Sequence, residues 1–116
     1  MEKIPVMNWQ PLAMLPVLAG MLDEQFGELS EQLELLHAAK ARPLVMDGQM
    51  RSRLIEVHGE QRDLLSLYRQ QASRWLREVD STSEQSAQVE RFCDLIAKVD
   101  TVLGEILEIA HGVAAR

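Results

Sequence analysis

Two Glu-x-x-His motifs are the residues in this 116-residue chain whose types and spacing could do chemistry: Glu34 with His37, and Glu108 with His111. Residues three apart share one face of a helix, so each motif presents a carboxylate beside an imidazole. In four-helix bundles, Glu-x-x-His pairs on two helices and Glu from the other two hold pairs of metal ions. The motifs raise the hypothesis of a metal site, with these four side chains as the candidate ligands.

The elements that would position the motifs are three long helices. Apolar residues make up 47% of the sequence but aromatic residues only 4%, and Leu, Ala, Val and Met stand between long polar side chains that favour helix over sheet. Two segments interrupt the pattern: residues 41–48, which contain Pro43, and residues 80–84, where Ser81 and Glu84 have capping-box spacing. We therefore expect helices over about residues 12–41, 48–79 and 82–114.

Short connections between these helices make sequential neighbours antiparallel. The predicted fold class is all-α, an up-down-up three-helix bundle with coiled-coil-like packing. A chain of 116 residues suits one domain, so we assign residues 1–116 to a single helical-bundle domain, with residues 1–11 as an N-terminal extension or short turn. Pro16 fits a helix only in its first turn, which favours a separate short turn before the main helix.

The heptad register predicts where the Glu-x-x-His motifs point. Leu36 and Ala110 fall at core position a of their helices, which puts both motifs at the outward positions f and b. Side chains on diverging outward faces cannot converge on one ion, so the sequence argues against a metal site within one chain. A site completed across a subunit interface stays open as the alternative. We predict no catalytic residue and no cofactor.

Helix two is expected to bury an apolar stripe and to expose the segment HGEQRD, residues 58–63. The stripe carries two inserted glutamines, Gln61 and Gln71. The titratable residues of HGEQRD have the composition of an acid/base centre, but such chemistry needs a pocket that holds a substrate, so a solvated face is the simpler interpretation. The predicted core stripe is Leu54, Val57, Leu64, Tyr68, Trp75 and Val79.

Helix three carries more apolar residues than one core stripe needs. Beside that stripe, a second row of Leu95, Val102 and Ile109 repeats every seven residues. Either the helix is unusually enclosed or this row is an interface. We favour the interface and expect self-association, most simply as a homodimer with twofold symmetry.

Further apolar residues lie outside the predicted stripes. Met21 and Leu35 add apolar surface to helix one, and the first loop contains Leu44, Val45 and Met46. Trp9 precedes the first helix, where we expect it to cap the bundle or to contact a partner.

Charge and cysteine content narrow the function further. The net charge of −6 argues against a protein that grips nucleic-acid phosphates. Helix two is rich in arginine while its neighbours are acidic, which favours electrostatic matching between helices over a nucleic-acid surface. Cys93 is the only cysteine and is expected to be inert packing, so a reducing cytoplasm is the simpler location. The apolar segment over residues 11–22 is too short to span a bilayer.

These observations predict a non-enzymatic helical-bundle protein that acts as an interaction or regulatory module. The expected partner surface is the row Leu95, Val102 and Ile109, or the region of Trp9, in helix-on-helix recognition. Metal binding through the Glu-x-x-His motifs is the alternative function. A nucleic-acid role is disfavoured by charge, and no membrane partner is expected.

Overall fold

The computed structural model describes residues 9–40, 48–80 and 82–114. A 3₁₀ turn over Leu12–Met14 leads into α1 (Leu15–Lys40), which is followed by α2 (Gly48–Glu78) and α3 (Glu84–Ala114). No strand occurs in the described ranges. The predicted all-α three-helix bundle is confirmed. A short turn precedes the first long helix at Leu12–Met14, and residues 1–8 of the predicted N-terminal extension lie outside the described residues.

The helix starts follow local chemistry. Pro16 is the second residue of α1, where a missing N–H removes no intrahelical hydrogen bond. α3 begins at Glu84 and is capped by Ser83, whose hydroxyl oxygen accepts a hydrogen bond from the backbone N of Ser86 at 3.1 Å. The predicted cap, Ser81, lies outside the described residues.

The three helices run up, down and up. α2 is antiparallel to both of its sequence neighbours, because residues late in one helix meet residues early in the next. The pairs that show this are Arg62 with Asp100 and Trp75 with Phe92 between α2 and α3, and Gln25 with Gln61 and Gln32 with His58 between α1 and α2.

The helices are not equivalent, because α3 lies between the other two. Close contacts join α3 to α1 and to α2, whereas few Cα atoms of α1 lie within 8 Å of α2. The bundle is therefore open along a seam between α1 and α2. None of the helices in the described ranges contains a stretch apolar and long enough to cross a membrane.

The central place of α3 corrects the prediction of an exposed row on that helix. Val102 and Ile109 are buried by the chain itself, at 8% and 7% exposure, and Leu95 packs against the same core. A helix contacted on two sides needs apolar residues on both, so the second row faces a neighbouring helix rather than solvent. The enclosed alternative is the correct one for these residues.

The predicted stripe of α2 is wrong at two positions. Val57 and Leu64 are 37% and 45% exposed, whereas their successors His58 and Leu65 are buried at 4% and 1%. Trp75, which the predicted stripe also contains, is fully buried and packs on a phenylalanine of α3 with ring centroids 5.7 Å apart. The buried face of α2 therefore runs through His58, Leu65 and Trp75.

Candidate interaction surface

The Glu-x-x-His side chains point to solvent, as the heptad register predicts. Glu108 and His111 line a groove of about 440 Å³ between α2 and α3. Arg62 also lines this groove, and its positive charge disfavours a metal cation nearby. No three His, Cys, Asp or Glu side chains in the described part of the chain group as metal ligands would. The exposed side chains are Glu34, His37, Glu108 and His111.

Asp100 is the charged contact between α2 and α3. Its carboxylate accepts a hydrogen bond from Nε of Arg62 at 2.7 Å and lies 3.3 Å from Nη2 of Arg69. The hydrogen bond from Arg62 is the main cause that lowers the pKa of Asp100, and the two guanidinium charges lower it further, against partial desolvation. Gly104 leaves room for this pair, because a Cβ there would lie 3.2 Å from the Arg62 guanidinium. The predicted charge matching between basic α2 and acidic α3 therefore consists of Asp100 of α3 held by two arginines of α2.

His58 corrects the interpretation of HGEQRD as a solvated face. His58 is 4% exposed. Its Nδ1–H donates to the carbonyl oxygen of Leu54 at 2.8 Å, and its Nε2 lies 3.0 Å from the side-chain oxygen Oε1 of Gln32 in α1. One turn along α2, Gln61 meets Gln25 at 3.4 Å. Buried polar groups need partners, and here α1 supplies them from across the seam. The floor of the seam is therefore polar.

The segment before α1 is held against the C-terminal part of α2 by hydrogen bonds. The Gln10 backbone N donates to the side-chain oxygen of Gln71 at 2.7 Å, and the Gln10 carbonyl oxygen accepts from the Trp75 indole N–H at 3.0 Å. The Arg74 guanidinium lies 4.6 Å from the centre of the Trp9 ring. The Trp9 side chain is 37% exposed, so both predicted roles, the cap and the partner contact, stay predictions.

An exposed apolar strip borders the seam. α1 contributes two members and α2 three, at spacings of seven or fourteen residues. On the surface of each helix, these apolar residues form a row next to the glutamines that span the seam. The row lies on the side of the glutamines that faces away from α3. We call these residues the seam strip: Met21, Leu35, Met50, Val57 and Leu64, which are 54%, 71%, 60%, 37% and 45% exposed.

The sequence identified the seam strip only in part. Met21 and Leu35 stand out from the sequence as surplus apolar residues, whereas Val57 and Leu64 were assigned to the core. The spacing by sevens from Met50 through Val57 to Leu64 is the signal that could have found them, since it matches the row on helix three. The loop residues 44–46, the other predicted apolar surplus, lie outside the described residues.

Acidic side chains flank the seam strip. Between and beside the members of the strip, on the same face of each helix, lie exposed Glu24, Glu28 and Glu31 on α1 and exposed Glu60 on α2. On this face, within residues 21–35 of α1 and residues 50–64 of α2, Arg53 is the only basic side chain. Charges of one sign around an apolar surface raise the local potential that an approaching partner meets.

The remaining predicted residues take structural places. Leu95 lines a groove of about 280 Å³ between α1 and α3, together with Leu15 and Ala19. Cys93 is half-buried, and burial is the main cause that raises the pKa of its thiol, with the nearby carboxylates of Asp94 and Glu90 adding to it. A raised thiol pKa disfavours the nucleophilic thiolate, in agreement with inert packing.

Comparison of the chain with protein-family models, with curated proteins and with solved structures gives no match.

Proposed function

We propose that this chain is a non-enzymatic interaction module that presents a helical surface to another protein chain. The observation that carries the proposal is the seam strip, a set of apolar side chains aligned along an open seam. Aligned apolar side chains that the chain leaves in solvent mark interaction sites. A seam between two helices is the shape that receives a further helix.

The chemistry of the polar groups supports an interaction module over an enzyme. His58 has both ring nitrogens engaged by protein groups, and the carboxylate of Asp100 is held by two arginines. General acid/base catalysis needs such groups directed at a substrate. Their directions here serve packing between helices.

A photocrosslinker at the seam strip tests the proposal. Leu64 is replaced by p-benzoylphenylalanine, and Leu76, an α2 leucine of similar exposure outside the strip (38% against 45%), serves as the matched control. In the cells that make the protein, we expect a discrete crosslinked adduct from position 64 and none from position 76. Equal background crosslinking from both positions would contradict an interaction surface at the seam.

Self-association, the mode predicted from the sequence, is the second candidate for how the surface is used, and the same crosslink distinguishes it from binding of a different protein. If the chain self-associates, the adduct has twice the mass of the chain, and light scattering coupled to size exclusion gives a dimer. The surface would be the seam strip, because Val102 and Ile109 are buried.

A further inference from the structure

The two rows of the seam strip lie side by side. Gln25 pairs with Gln61 across the seam, so the residue one turn before Gln25 is level with the residue one turn after Gln61. This sets Met21 near the level of Leu64. At the other end Gln32 pairs with His58, so Leu35 lies level with the stretch of α2 between Met50 and Val57. The strip extends along α1 from Met21 to Leu35, a length of about 21 Å. A partner helix of about four turns covers it.

Charge decides which kind of helix fits. Four exposed carboxylates and one guanidinium occupy the positions that flank the strip: Glu24, Glu28, Glu31, Glu60 and Arg53. In α1 the imbalance extends over the whole described face, because residues 15–38 contain Asp and Glu but no Lys or Arg. A helix that docks here is favoured by cationic flanks.

The same charges disfavour a second copy of this chain. A twofold pairing of strip on strip would bring these carboxylates close to their own counterparts, with one arginine per chain to offset them. Like charges brought together at an interface act against association. The acidic flanks equally repel nucleic-acid phosphates and anionic lipid headgroups.

From these observations we infer that the seam strip binds an amphipathic helix of a different protein, whose apolar stripe covers the strip and whose Lys and Arg residues face Glu24, Glu28 and Glu31. The inference rests on the proposed function and adds the chemistry of the partner. The partner helix contacts the outer rims of α1 and α2 and turns the open three-helix arrangement into a four-helix one.

Synthetic helices test the inference directly. The probe is a peptide of about 21 residues with Leu at positions a and d and Lys at e and g; the matched peptide replaces each Lys with Glu. Binding to the full chain is measured by fluorescence anisotropy at low and at high salt. We expect the Lys peptide to bind, with an affinity that falls as salt rises, and the Glu peptide to bind at least about tenfold more weakly.

Paired variants locate the binding on the chain. Leu64→Lys is expected to weaken binding of the Lys peptide about tenfold or more, and Leu76→Lys to leave it within about twofold. Replacing Glu24, Glu28 and Glu31 together by Gln is expected to weaken binding about threefold to tenfold at low salt. The control that removes equal charge from α3, with Gln at Glu84 and Glu90 and Asn at Asp94, is expected to have a smaller effect.

Three results would overturn the inference. Equal binding of both peptides would show that charge does not select the partner, and loss of binding that is the same in Leu64→Lys and Leu76→Lys would place the site elsewhere. A dimer by light scattering that Leu64→Lys dissociates would make a second copy the occupant. In that last case the proposed function, an interaction module, is kept and only the inferred partner is wrong. A failed crosslink at position 64 would contradict both the proposed function and the inferred partner.

Discussion

The contact between α2 and α3 and the seam between α1 and α2 are built on the same heptad geometry, and they differ in which side chains fill it. Between α2 and α3, the Phe92 ring meets Tyr68 and Trp75 with centroids 6.3 Å and 5.7 Å away. At the seam, the corresponding positions hold glutamines and a histidine joined by hydrogen bonds. Apolar positions draw two helices into close packing, whereas the hydrogen-bonded amides line a seam whose outer apolar edges lie in solvent.

This difference indicates that one part of the molecule provides its stability and another part its binding surface. α3 is enclosed and carries the core, so its side chains determine whether the chain folds. α1 and α2 share a polar seam with apolar edges, so their outer faces remain available to a partner. The four predictions below test this division, beginning with the largest expected effect.

The largest effect is expected at the aromatic contact. Phe92 is 1% exposed, and Phe92→Ala removes most of its buried side chain, which should lower the free energy of unfolding by about 3–5 kcal/mol. Urea denaturation followed by far-UV circular dichroism measures the loss. Leu35→Ala, at 71% exposure on the seam strip, should change stability by no more than about 0.5 kcal/mol. Equal losses would mean that the seam strip is also core.

The second effect is expected at Val102, the centre of the row that the sequence assigned to an interface. Val102→Glu places a carboxylate where the side chain is 8% exposed, and we expect the free energy of unfolding to fall by about 2–4 kcal/mol. The measurement is the urea midpoint, with size exclusion in parallel. If the variant were as stable as the wild type and differed only in oligomeric state, Val102 would belong to a subunit interface and not to the core.

The third effect concerns the polar floor of the seam. Gln32→Leu leaves Nε2 of buried His58 without its partner and should cost about 1–3 kcal/mol. Adding His58→Leu removes the orphaned group and should restore stability to near the wild-type value, because both polar partners are then replaced by apolar ones. A double-mutant cycle from four urea titrations measures the coupling. Strictly additive losses would show that the pair does not interact.

The smallest effect is expected at the surface charge pair. Asp100→Asn should cost about 0.5–1 kcal/mol at neutral pH and low salt, since the pair is partly exposed and screened. The folded-state pKa of Asp100 is lowered, so its contribution is present above the unfolded pKa of about 3.9 and is lost as pH falls through the lower folded pKa. The stability difference between wild type and variant should therefore vanish on acidification. A difference that persists in strong acid would assign it to packing.

Much of the fold could be predicted because it depends on local chemistry. The heptad register that puts Leu36 and Ala110 at position a agrees with the structure. The a positions before them, Leu22 and Leu29 in α1 and Ile96 and Leu103 in α3, are buried at 4% exposure or less. The outward direction of the Glu-x-x-His motifs followed from the same register. A period of seven residues, once anchored by leucines, determines which face of a helix is apolar.

The candidate site could be predicted only in part, because apolar residues exceed the core positions on more than one helix. Val102 and Val57 each belong to a row spaced by sevens, and nothing local distinguishes the row that is buried from the row that is exposed. The distinction depends on which helix lies in the middle. His58 was misassigned for a related reason, since its partner Gln32 lies in another helix.

The amino-acid sequence by itself determined three helices, their approximate ends, their up-down-up order and the outward motifs, because propensity, capping and heptad period are properties of a segment and its near neighbours. Only the tertiary structure decided that α3 is central, that α2 is rotated to bury Trp75 and His58, and that the seam strip faces solvent. Those choices depend on how three apolar surfaces share one core, and each helix's buried face is set by the neighbours it packs against.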